Sequence, residues 1–337
     1  MSVTIRDVAK KAGVSPATVS RYFSGSDIVS TETARNIERA VNELGYQPKV
    51  RQKRDNGVII VFVPDLKLGF YAEVLKELID QLPKYNYRMM IVPTIEGSEH
   101  YKMFFKELDV AGVIYLDESM DRDIINYISS KNVKSVICAG ASIDFRSDMI
   151  HINDMAAAYE GTKYLISLGH EKIIFLSDYL RNIDSSFQRF TGCKRALEEI
   201  GSQLDEKEML ACGPLTFDTG YRLTNQFLEK RTEFTAIFAF SDEVAMGAIS
   251  ALHDFGVKVP EEVSVLGFDD IAIASRIRPG LTTIHQPIKE MVAKTLEVFQ
   301  NMDTVGSSSR LEITLPYKII SRGTCAENRR INIYGKK

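Results

Sequence analysis

Short apolar runs alternate with amphipathic stretches from Val58 onward, and few folds accommodate that alternation. It is typical of an α/β fold in which buried strands form parallel sheets through right-handed crossovers. The strand candidates are VIIVFVP, YRMMIVP, AGVIYL, KSVICAG, EKIIFLS, TAIFAF and VSVLGF. Between them, helices are predicted over about 71–84, 121–130, 156–167, 187–200, 219–228 and 243–255. The pattern restarts near Ile173, which predicts two similar lobes with a ligand cleft at the carboxyl ends of their strands.

The segment before this alternation predicts three short helices. In TIRDVAKKAG the apolar residues recur at helical spacing, Thr4 and Asp7 resemble a capping box, and Gly13 ends the helix. VSPATVSRYF begins a second helix with Ser15 as its N-cap, and a third covers residues 31–44. Two helices joined by a Gly-containing turn and braced by a third are typical of a helix-turn-helix. Spacing alone leaves open a three-helix interaction module without a DNA role.

Charge separates the two parts of the chain and favours a DNA role for the first. Residues 1–54 contain ten Lys and Arg against five Asp and Glu, so they carry +5, whereas the remainder carries −8. A small basic head on an acidic body indicates a polyanionic partner for the head alone. Its second helix presents small residues and one arginine that can contact a guanine edge or a phosphate.

Long stretches of both parts resemble one family, the lactose/galactose repressor (LacI/GalR) family. VTIRDVAKKAGVSPATVSRYFSG and VSTETARNIERAVNELGYQP are similar to its DNA-binding headpiece. FDTGY, TAIFAFSDEVAMGAISAL, VPEEVSVLGFDD and PGLTTIHQP are similar, in the same order, to its sensor domain, which looks like a periplasmic binding protein. The resemblance implies a cytoplasmic homodimeric regulator, a repressor of carbohydrate metabolism genes, that binds near-palindromic double-stranded DNA. Its small effector would be a sugar or sugar phosphate acting allosterically.

The predicted domains follow from these features: a helix-turn-helix headpiece at 1–48, a short basic linker or hinge at 49–57, a two-lobed effector-binding and dimerisation domain at 58–327, and a tail at 328–337. The resemblance implies that Thr18 and Arg21, with Ala17 beside them, face the major groove. The predicted DNA-binding residues are Ser15, Ala17, Thr18, Ser20, Arg21, Lys49, Val50, Arg51, Lys53 and Arg54.

The linker KVRQKRDNG allows two interpretations. The family's equivalent segment is longer, rich in Ala and Leu, and forms a hinge helix that inserts an apolar side chain into the minor groove. Here Val50 is the only apolar residue. The basic residues therefore predict a flexible, phosphate-seeking tether with a steep salt dependence. The alternative is a shortened hinge in which Val50 is the wedge or an arginine enters a narrow minor groove.

Six residues are predicted to contact the effector. Sugar recognition uses carboxylates that accept from hydroxyls, arginine that donates to oxygens, and aromatic faces that cover C–H groups. Each candidate maps onto a ligand-contact position of the family, and most follow a predicted strand: Phe70, Tyr71, Asp154, Arg189, Asp242 and Asp269. Alternatively, Asp154 and Asp242 begin helices as N-caps. Arg189 can instead pair with a carboxylate between the lobes, and the two aromatics can belong to the core.

Departures from the family pattern bear on the effector. Leu68-Gly69 replaces a common Asn-Pro, Ser241 replaces a common Asn, and Leu215 stands where some relatives have an aromatic residue. These changes imply a pocket that is more apolar on one side and suited to a smaller, modified or less polar ligand. A body that answers to a protein co-regulator is therefore a second possibility. A solute-binding protein without a regulatory role is a third, which the basic head argues against.

Nothing in the sequence favours an enzyme, a metal site or a cofactor. The four cysteines are far apart without C-x-x-C spacing, and the five histidines are scattered. His170 follows a glycine and precedes a strand, where a structural role is expected. No G-x-S-x-G, P-loop or G-x-G-x-x-G is present. The absence of an apolar leader and of a heptad pattern near the C-terminus predicts a cytoplasmic protein without a tetramerising coiled coil.

Overall fold

The computed structural model describes residues 3–23, 29–46, 56–94, 100–116, 122–131, 133–140, 147–180, 184–202, 204–301, 310–329 and 333–334. They fall in two compact units, Met1–Asp55 and Asn56–Lys337. The division lies within the predicted linker, and the predicted domain limits remain predictions. No helix in the described ranges is long and apolar enough to cross a membrane.

The first unit contains three helices around a small core. The helices are α1 Ile5–Ala12, α2 Pro16–Phe23 and α3 Thr31–Leu44. Each contributes apolar residues at helical spacing to one cluster, and the cluster's fully buried members are Val8, Ala9, Val19, Ile37 and Ala40. So small a core offers little hydrophobic stabilisation, so the helix ends matter for the stability of this unit.

Local capping fixes where these helices begin and end. The Thr4 backbone N–H donates to the Asp7 carboxylate at 2.8 Å, which is the capping-box contact predicted from the sequence. Gly13 ends α1 in the left-handed region with φ 68°, a conformation that is easiest for glycine. The Ser15 hydroxyl accepts from the Thr18 backbone N–H at 3.1 Å and caps α2. These contacts give the turn between α1 and α2.

The second unit begins with the strands and helices of lobe 1. They are β1 Val58–Val63, α4 Gly69–Gln81, β2 Arg88–Pro93, α5 Tyr101–Glu107, β3 Val110–Tyr115, α6 Arg122–Ser130, β4 Lys134–Cys138 and β5 Asp148–Ile152. Every residue of β1 is buried. A strand covered on both faces must be apolar throughout, which explains the unbroken run VIIVFV.

Lobe 2 repeats the arrangement. Its elements are α7 Asp154–Ser167, β6 Ile173–Ser177, α8 Ser185–Glu198, α9 Glu206–Met209, β7 Leu210–Cys212, α10 Phe217–Glu229, β8 Ala236–Ala239, α11 Asp242–Asp254, β9 Ser264–Asp269 and β10 Thr282–His285. The chain then continues as α12 Ile288–Asn301, β11 Glu312–Leu315 and β12 Lys318–Ile320. The predicted restart of the pattern at Ile173 is confirmed, because the second sheet begins there.

The two sheets have the same strand order. Lobe 1 runs β2-β1-β3-β4-β5-β11 and lobe 2 runs β7-β6-β8-β9-β10-β12. The chain crosses between the lobes: α7 follows β5 but packs against α8, and α12 follows β10 but packs against α4 and β4. Strand β11 then joins β5 in lobe 1 and β12 joins β10 in lobe 2. The crossings bring the carboxyl ends of both sets of parallel strands to one cleft.

Candidate functional site

The exposed face of α2 is the first candidate site. Ala17, Ser20 and Arg21 are exposed and Thr18 is half-buried, whereas Val19 on the opposite face is fully buried. Packing of that valine against the headpiece core therefore turns the predicted recognition residues outward. Small side chains on this face permit close approach to a base edge, and arginine supplies planar donors.

Ser15 and the linker residues were also predicted to contact DNA. The Ser15 hydroxyl lies 2.9 Å from that of Thr18 and caps α2, so its observed contacts are within the helix start. Lys49, Val50, Arg51, Lys53 and Arg54 lie outside the described residues. DNA contact by all these residues stays a prediction.

The second candidate site is a cavity of about 330 Å³ between the lobes. Residues that directly follow strands of both sheets form its walls, among them Pro64 after β1, Ala139 after β4 and Asp178 after β6. Ligands of parallel α/β folds bind at this edge of the sheet. The polar and aromatic residues that line it are Asp65, Phe70, Tyr71, Asp178, Tyr179, Asp184, Ser185, Ser186, Arg189, Thr216, Ser241, Glu243, Asp269 and Gln286.

Arg189 lies in the cavity wall with its charge already engaged. Its Nε donates to the Asp154 carboxylate at 2.7 Å, and Nη1 donates to the Phe240 carbonyl at 2.6 Å. The guanidinium carbon stands 3.6 Å from the centroid of the Phe268 ring. Arg189 and Asp154 are both buried, so this ion pair and the stacked ring hold the guanidinium in one orientation. Arg189 thus pairs with a carboxylate of its own lobe and not with one between the lobes, and its contact with the effector stays a prediction.

Asp154 and Asp242 begin helices, but neighbouring side chains cap those helices. The Asn153 carboxamide caps α7 and the Ser241 hydroxyl caps α11. Asp242 is fully buried and accepts from the Thr283 hydroxyl at 2.5 Å and from the Ile271 backbone N–H at 2.9 Å. Burial is the main reason that its pKa lies well above the usual range for aspartate. Neither acid is among the residues that line the cavity.

Asp269 ends β9 at the cavity with an unusual backbone. Its φ is 119° and that of Asp270 is 60°, both in a region that L-residues seldom adopt. Its carboxylate accepts from the Gln286 side chain at 2.8 Å. Burial raises the pKa of Asp269 to about 7, although the nearby Arg189 charge works in the opposite direction. Strained backbone at a cavity wall is typical of functional sites, where the surrounding structure holds it.

Lobe 1 contributes the aromatic side of the cavity. Phe70 and Tyr71 are half-buried at the start of α4, with their ring centroids 5.5 Å apart in an edge-to-face arrangement. Phe70 and Tyr71 both pack against the main core cluster and both line the cavity. Each ring therefore contacts the core and the cavity at the same time. Leu68 and Gly69, which replace the family's Asn-Pro, lie beside them in the wall.

Two carboxylates bridge the lobes across the cleft. The Glu243 carboxylate of α11 accepts a backbone hydrogen bond from Gly69 of α4, and burial raises its pKa. In the opposite direction, Glu73 of α4 accepts from the Ala272 backbone N–H at 2.6 Å. Helix α4 has no side-chain N-cap of its own. Glu243 of the other lobe therefore accepts a hydrogen bond from a backbone N–H in the first turn of α4, which has no partner within the helix.

The structure brings together four of the six predicted effector residues in the cavity wall: Phe70, Tyr71, Arg189 and Asp269. The charged and amide wall residues that sequence reasoning missed are Asp65, Asp178, Asp184, Glu243 and Gln286. Asp178 and Gln286 each follow a strand, the same signal that pointed to Asp154, and so could have been found. Glu243 carried no separate signal, because it follows Asp242 in an ordinary helix start.

The surroundings of His170 and of three of the cysteines indicate structural roles. His170 is buried between the Thr235 hydroxyl and the Ala326 carbonyl, each at 3.0 Å, and burial lowers its pKa. Burial also raises the pKa of Cys138 to about 11 and those of Cys193 and Cys325 to about 12. Among the described residues, no group of three or more His, Cys, Asp or Glu has metal-site geometry.

A helix-turn-helix unit joined to a two-lobed fold with a cleft cavity defines a class of DNA-binding proteins with a ligand-binding body. Comparison with known proteins agrees. Residues 4–49 match the family of bacterial regulatory proteins, lacI family, and residues 162–325 match a periplasmic binding protein-like domain.

Relatives and solved structures extend this match over nearly the whole chain. The HTH-type transcriptional regulator RegA of Clostridium saccharobutylicum is 30% identical over 96% of this chain and 99% of RegA. The HTH-type transcriptional repressor CytR of Escherichia coli strain K12 is 30% identical over 96% of each chain. The CelR–cellobiose complex has a TM-score of 0.70 at 25% identity and covers 96% of this chain and 99% of CelR. The chain belongs to the LacI family of bacterial transcriptional regulators, and the family and fold predicted from its sequence are confirmed.

Proposed function

We propose that this regulator is a homodimeric, cytoplasmic repressor of carbohydrate metabolism genes whose operator binding responds to a small sugar-like effector in the interlobe cavity. The observation that carries the proposal is that one chain combines an outward-facing α2 surface with a cavity lined by carboxylates, hydroxyls and aromatic rings. CelR, which shares the fold, was solved with cellobiose, and a relative at 30% identity is named a repressor.

A dimer follows from the size of the headpiece. One headpiece buries too little surface for tight sequence-specific binding, whereas two on a near-palindromic operator combine their contacts. An effector that binds one arrangement of the lobes more tightly shifts the population toward it. Such a shift alters operator affinity only if the two arrangements space the headpieces differently.

We also propose that the body binds its ligand without turning it over. The thiols of Cys138, Cys193 and Cys325 have raised pKa values because they are buried, so thiolate nucleophiles are disfavoured there. Asp154 and Arg189 neutralise each other in an ion pair, which suits orientation rather than proton transfer.

Operator binding is the first test. The purified protein is titrated onto DNA from upstream of its own gene at two salt concentrations, with random DNA as competitor, and again with a panel of sugars. We expect saturable binding that outcompetes random DNA and shifts with one sugar. An Arg21→Ala variant should lose specific binding while its body binds the same sugar, since Arg21 belongs to the separate headpiece unit.

Two outcomes would redirect the proposal. Specific operator binding that no small molecule alters would contradict effector control and favour a protein co-regulator. Sugar binding without any DNA binding, under conditions in which the headpiece is folded, would contradict the regulator itself and favour a solute-binding role.

The same assay distinguishes the two interpretations of the linker, a phosphate-seeking tether and a shortened hinge. A phosphate-seeking tether predicts that replacing Lys49, Arg51, Lys53 and Arg54 by Ala lowers the slope of log affinity against log salt by as much as about 0.9 for each phosphate that is no longer neutralised. Val50→Ala should then have no effect. A wedge role for Val50 predicts the reverse, a loss of specific affinity with an unchanged salt slope.

A further inference from the structure

We infer that the effector carries no negative charge: the cavity selects an uncharged or amine-bearing sugar and rejects phosphorylated and carboxylated ones. This inference rests on the proposed function and narrows its effector class. It comes from the balance of charges in the cavity wall, together with the aromatic surfaces beside them.

Acidic side chains outnumber basic ones among the wall residues that the structure describes. The described lining residues include five carboxyl groups, and Arg189 is the one cation among them: the acids are Asp65, Asp178, Asp184, Glu243 and Asp269. Asp269, with a pKa of about 7, is only partly ionised at pH 7, so the excess of negative charge depends mainly on the other four. Arg189 contributes little positive potential, because Asp154 holds its guanidinium in a buried ion pair at 2.7 Å. A phosphate placed among these groups would be repelled by the ionised carboxylates, and the described lining residues include no cation other than Arg189 to offset that repulsion.

Three of these carboxylates have neutral donors as hydrogen-bond partners. Asp65 accepts from the Lys67 backbone N–H at 2.9 Å, Asp269 from the Gln286 carboxamide at 2.8 Å, and Glu243 from the Gly69 backbone. Each carboxylate has further lone pairs that can accept from ligand hydroxyl or ammonium groups. Burial is the largest cause of the raised pKa values of Glu243 and Asp269, because it makes the ionised carboxylate less favourable. A cationic group on the ligand would offset this cost of ionisation.

Aromatic surfaces complete the fit to such a ligand. Phe70 and Tyr71 stand on the lobe 1 side of the cavity and Tyr179 on the lobe 2 side. Ring faces cover the C–H surface of a sugar and attract an ammonium group, whereas they offer nothing to a phosphate.

A charge series on one sugar skeleton tests the inference with the full chain. Calorimetry at pH 7 compares glucosamine, glucose and glucose 6-phosphate, and the same three forms of galactose and mannose. In the series that binds, we expect the amine form to bind about tenfold tighter than the neutral form and the phosphate to bind at least tenfold more weakly. A phosphate that binds as tightly as its neutral sugar would overturn the inference and leave the proposed regulator intact.

Variants that remove a wall charge test whether the cavity carboxylates cause this order of affinities. Asp65→Asn and Glu243→Gln keep an oxygen acceptor for Lys67 and Gly69, so both should fold. Together they should reduce the amine preference to less than threefold and increase binding of the phosphate. Asp80→Asn, an exposed change on α4, is the matched control and should leave the series unchanged.

Two further outcomes would overturn the inference. An unchanged preference in the double variant would overturn the assignment of selectivity to these carboxylates. If no compound of any charge binds while specific operator binding persists, effector control by a sugar fails, and the inference fails with it.

Discussion

The two lobes share a strand order but contribute differently to the cleft. In both sheets the second strand lies outside the first, and a strand from the end of the chain completes the far edge. That last strand runs parallel to its neighbour in lobe 1 and antiparallel in lobe 2. Lobe 1 supplies mainly the aromatic and apolar wall, including Phe70 and Tyr71, whereas lobe 2 supplies most of the charged and amide groups.

The difference shows that two lobes with the same strand order can contribute different groups to one cleft: lobe 1 mainly aromatic and apolar surface, lobe 2 mainly charged and amide groups. Buried polar groups are costly unless they are paired or hydrogen-bonded. In lobe 2, Asp154 forms an ion pair with Arg189, and Asp242 accepts hydrogen bonds from the neutral Thr283 hydroxyl and the Ile271 backbone N–H. Half-buried rings in lobe 1 require no such support. Substitutions at these buried polar pairs of lobe 2 should therefore act mainly on stability, and those of the half-buried rings in the lobe 1 wall mainly on ligand affinity.

The largest effect is expected from Asp154→Ala. It leaves the buried Arg189 charge without its partner, which should lower the free energy of unfolding by about 3–5 kcal/mol. Urea unfolding at pH 7 measures the loss. Glu206→Ala, which breaks the exposed Lys194–Glu206 pair of lobe 2, is the control and should cost about 0–1 kcal/mol.

The double variant Asp154→Ala/Arg189→Met sharpens this result. It removes both charges, so it should be more stable than Asp154→Ala alone. A loss of about 1 kcal/mol or less for the single variant would mean that Arg189 does not depend on Asp154. The supposed reliance of lobe 2 on internal charge pairing would then be wrong.

The next effect is a pH dependence from Asp269→Asn. Because the pKa of Asp269 is about 7 in the folded protein and close to 4 when unfolded, the folded state binds more protons between those values. The contribution of Asp269 to stability should therefore become less favourable as pH rises from 4 to 7. Asparagine keeps the Gln286 contact, tolerates positive φ and cannot ionise. We expect the variant to gain about 2–4 kcal/mol relative to the native chain at pH 8 and almost nothing at pH 4.

Urea unfolding at several pH values provides the measurement. Asp80→Asn, an exposed lobe 1 carboxylate, should leave the profile of the native chain unchanged. A gain for Asp269→Asn that is equal at pH 4 and pH 8 would rule out ionisation of Asp269 as its cause.

Phe70→Ala examines the lobe 1 wall. The ring is half-buried and packs against the core, so its loss should cost about 1–2 kcal/mol, less than a fully buried phenylalanine. Binding of the sugar that shifts operator binding should weaken about tenfold or more, because the ring also faces the cavity. Phe255→Ala, at an exposed position outside the cavity, should leave binding unchanged. A stability loss above 3 kcal/mol without weaker binding would assign Phe70 to the core alone.

Local patterns predicted the parts of this fold that depend on neighbours in sequence. The capping box at Thr4, the left-handed Gly13 and the seven apolar strands all occur where the pattern indicated. Helix α12 was missed although Met291, Val292 and Leu296 have helical spacing, so that signal was available. Strand β7 has three half-buried residues and no periodicity from which to predict it.

The cavity was less predictable because its contacts are distant in sequence. The carboxylates were recognised by their position after strands, but Asp154 meets Arg189 35 residues away and Asp242 meets Thr283 41 residues away. Those partners depend on the chain crossing between the lobes at α7 and on the order of strands in each sheet. Periodicity carries no information about either, so sequence alone could not tell an acid in the wall from one behind it.

The smallest effect is expected from Glu73→Ala, which removes the hydrogen bond that Glu73 forms across the cleft. The bond to the Ala272 N–H lies at an exposed site, so the free energy of unfolding should change by less than about 1 kcal/mol. Glu77→Ala on the same helix removes only a contact with Gln81 within lobe 1 and is the matched control. Small-angle scattering of the ligand-free protein should show a larger radius of gyration for Glu73→Ala than for Glu77→Ala, because one hydrogen bond across the cleft is lost. Equal radii would mean that this bond does not restrain the lobes, and that packing at the crossings holds the wall of lobe 1 against the charges of lobe 2.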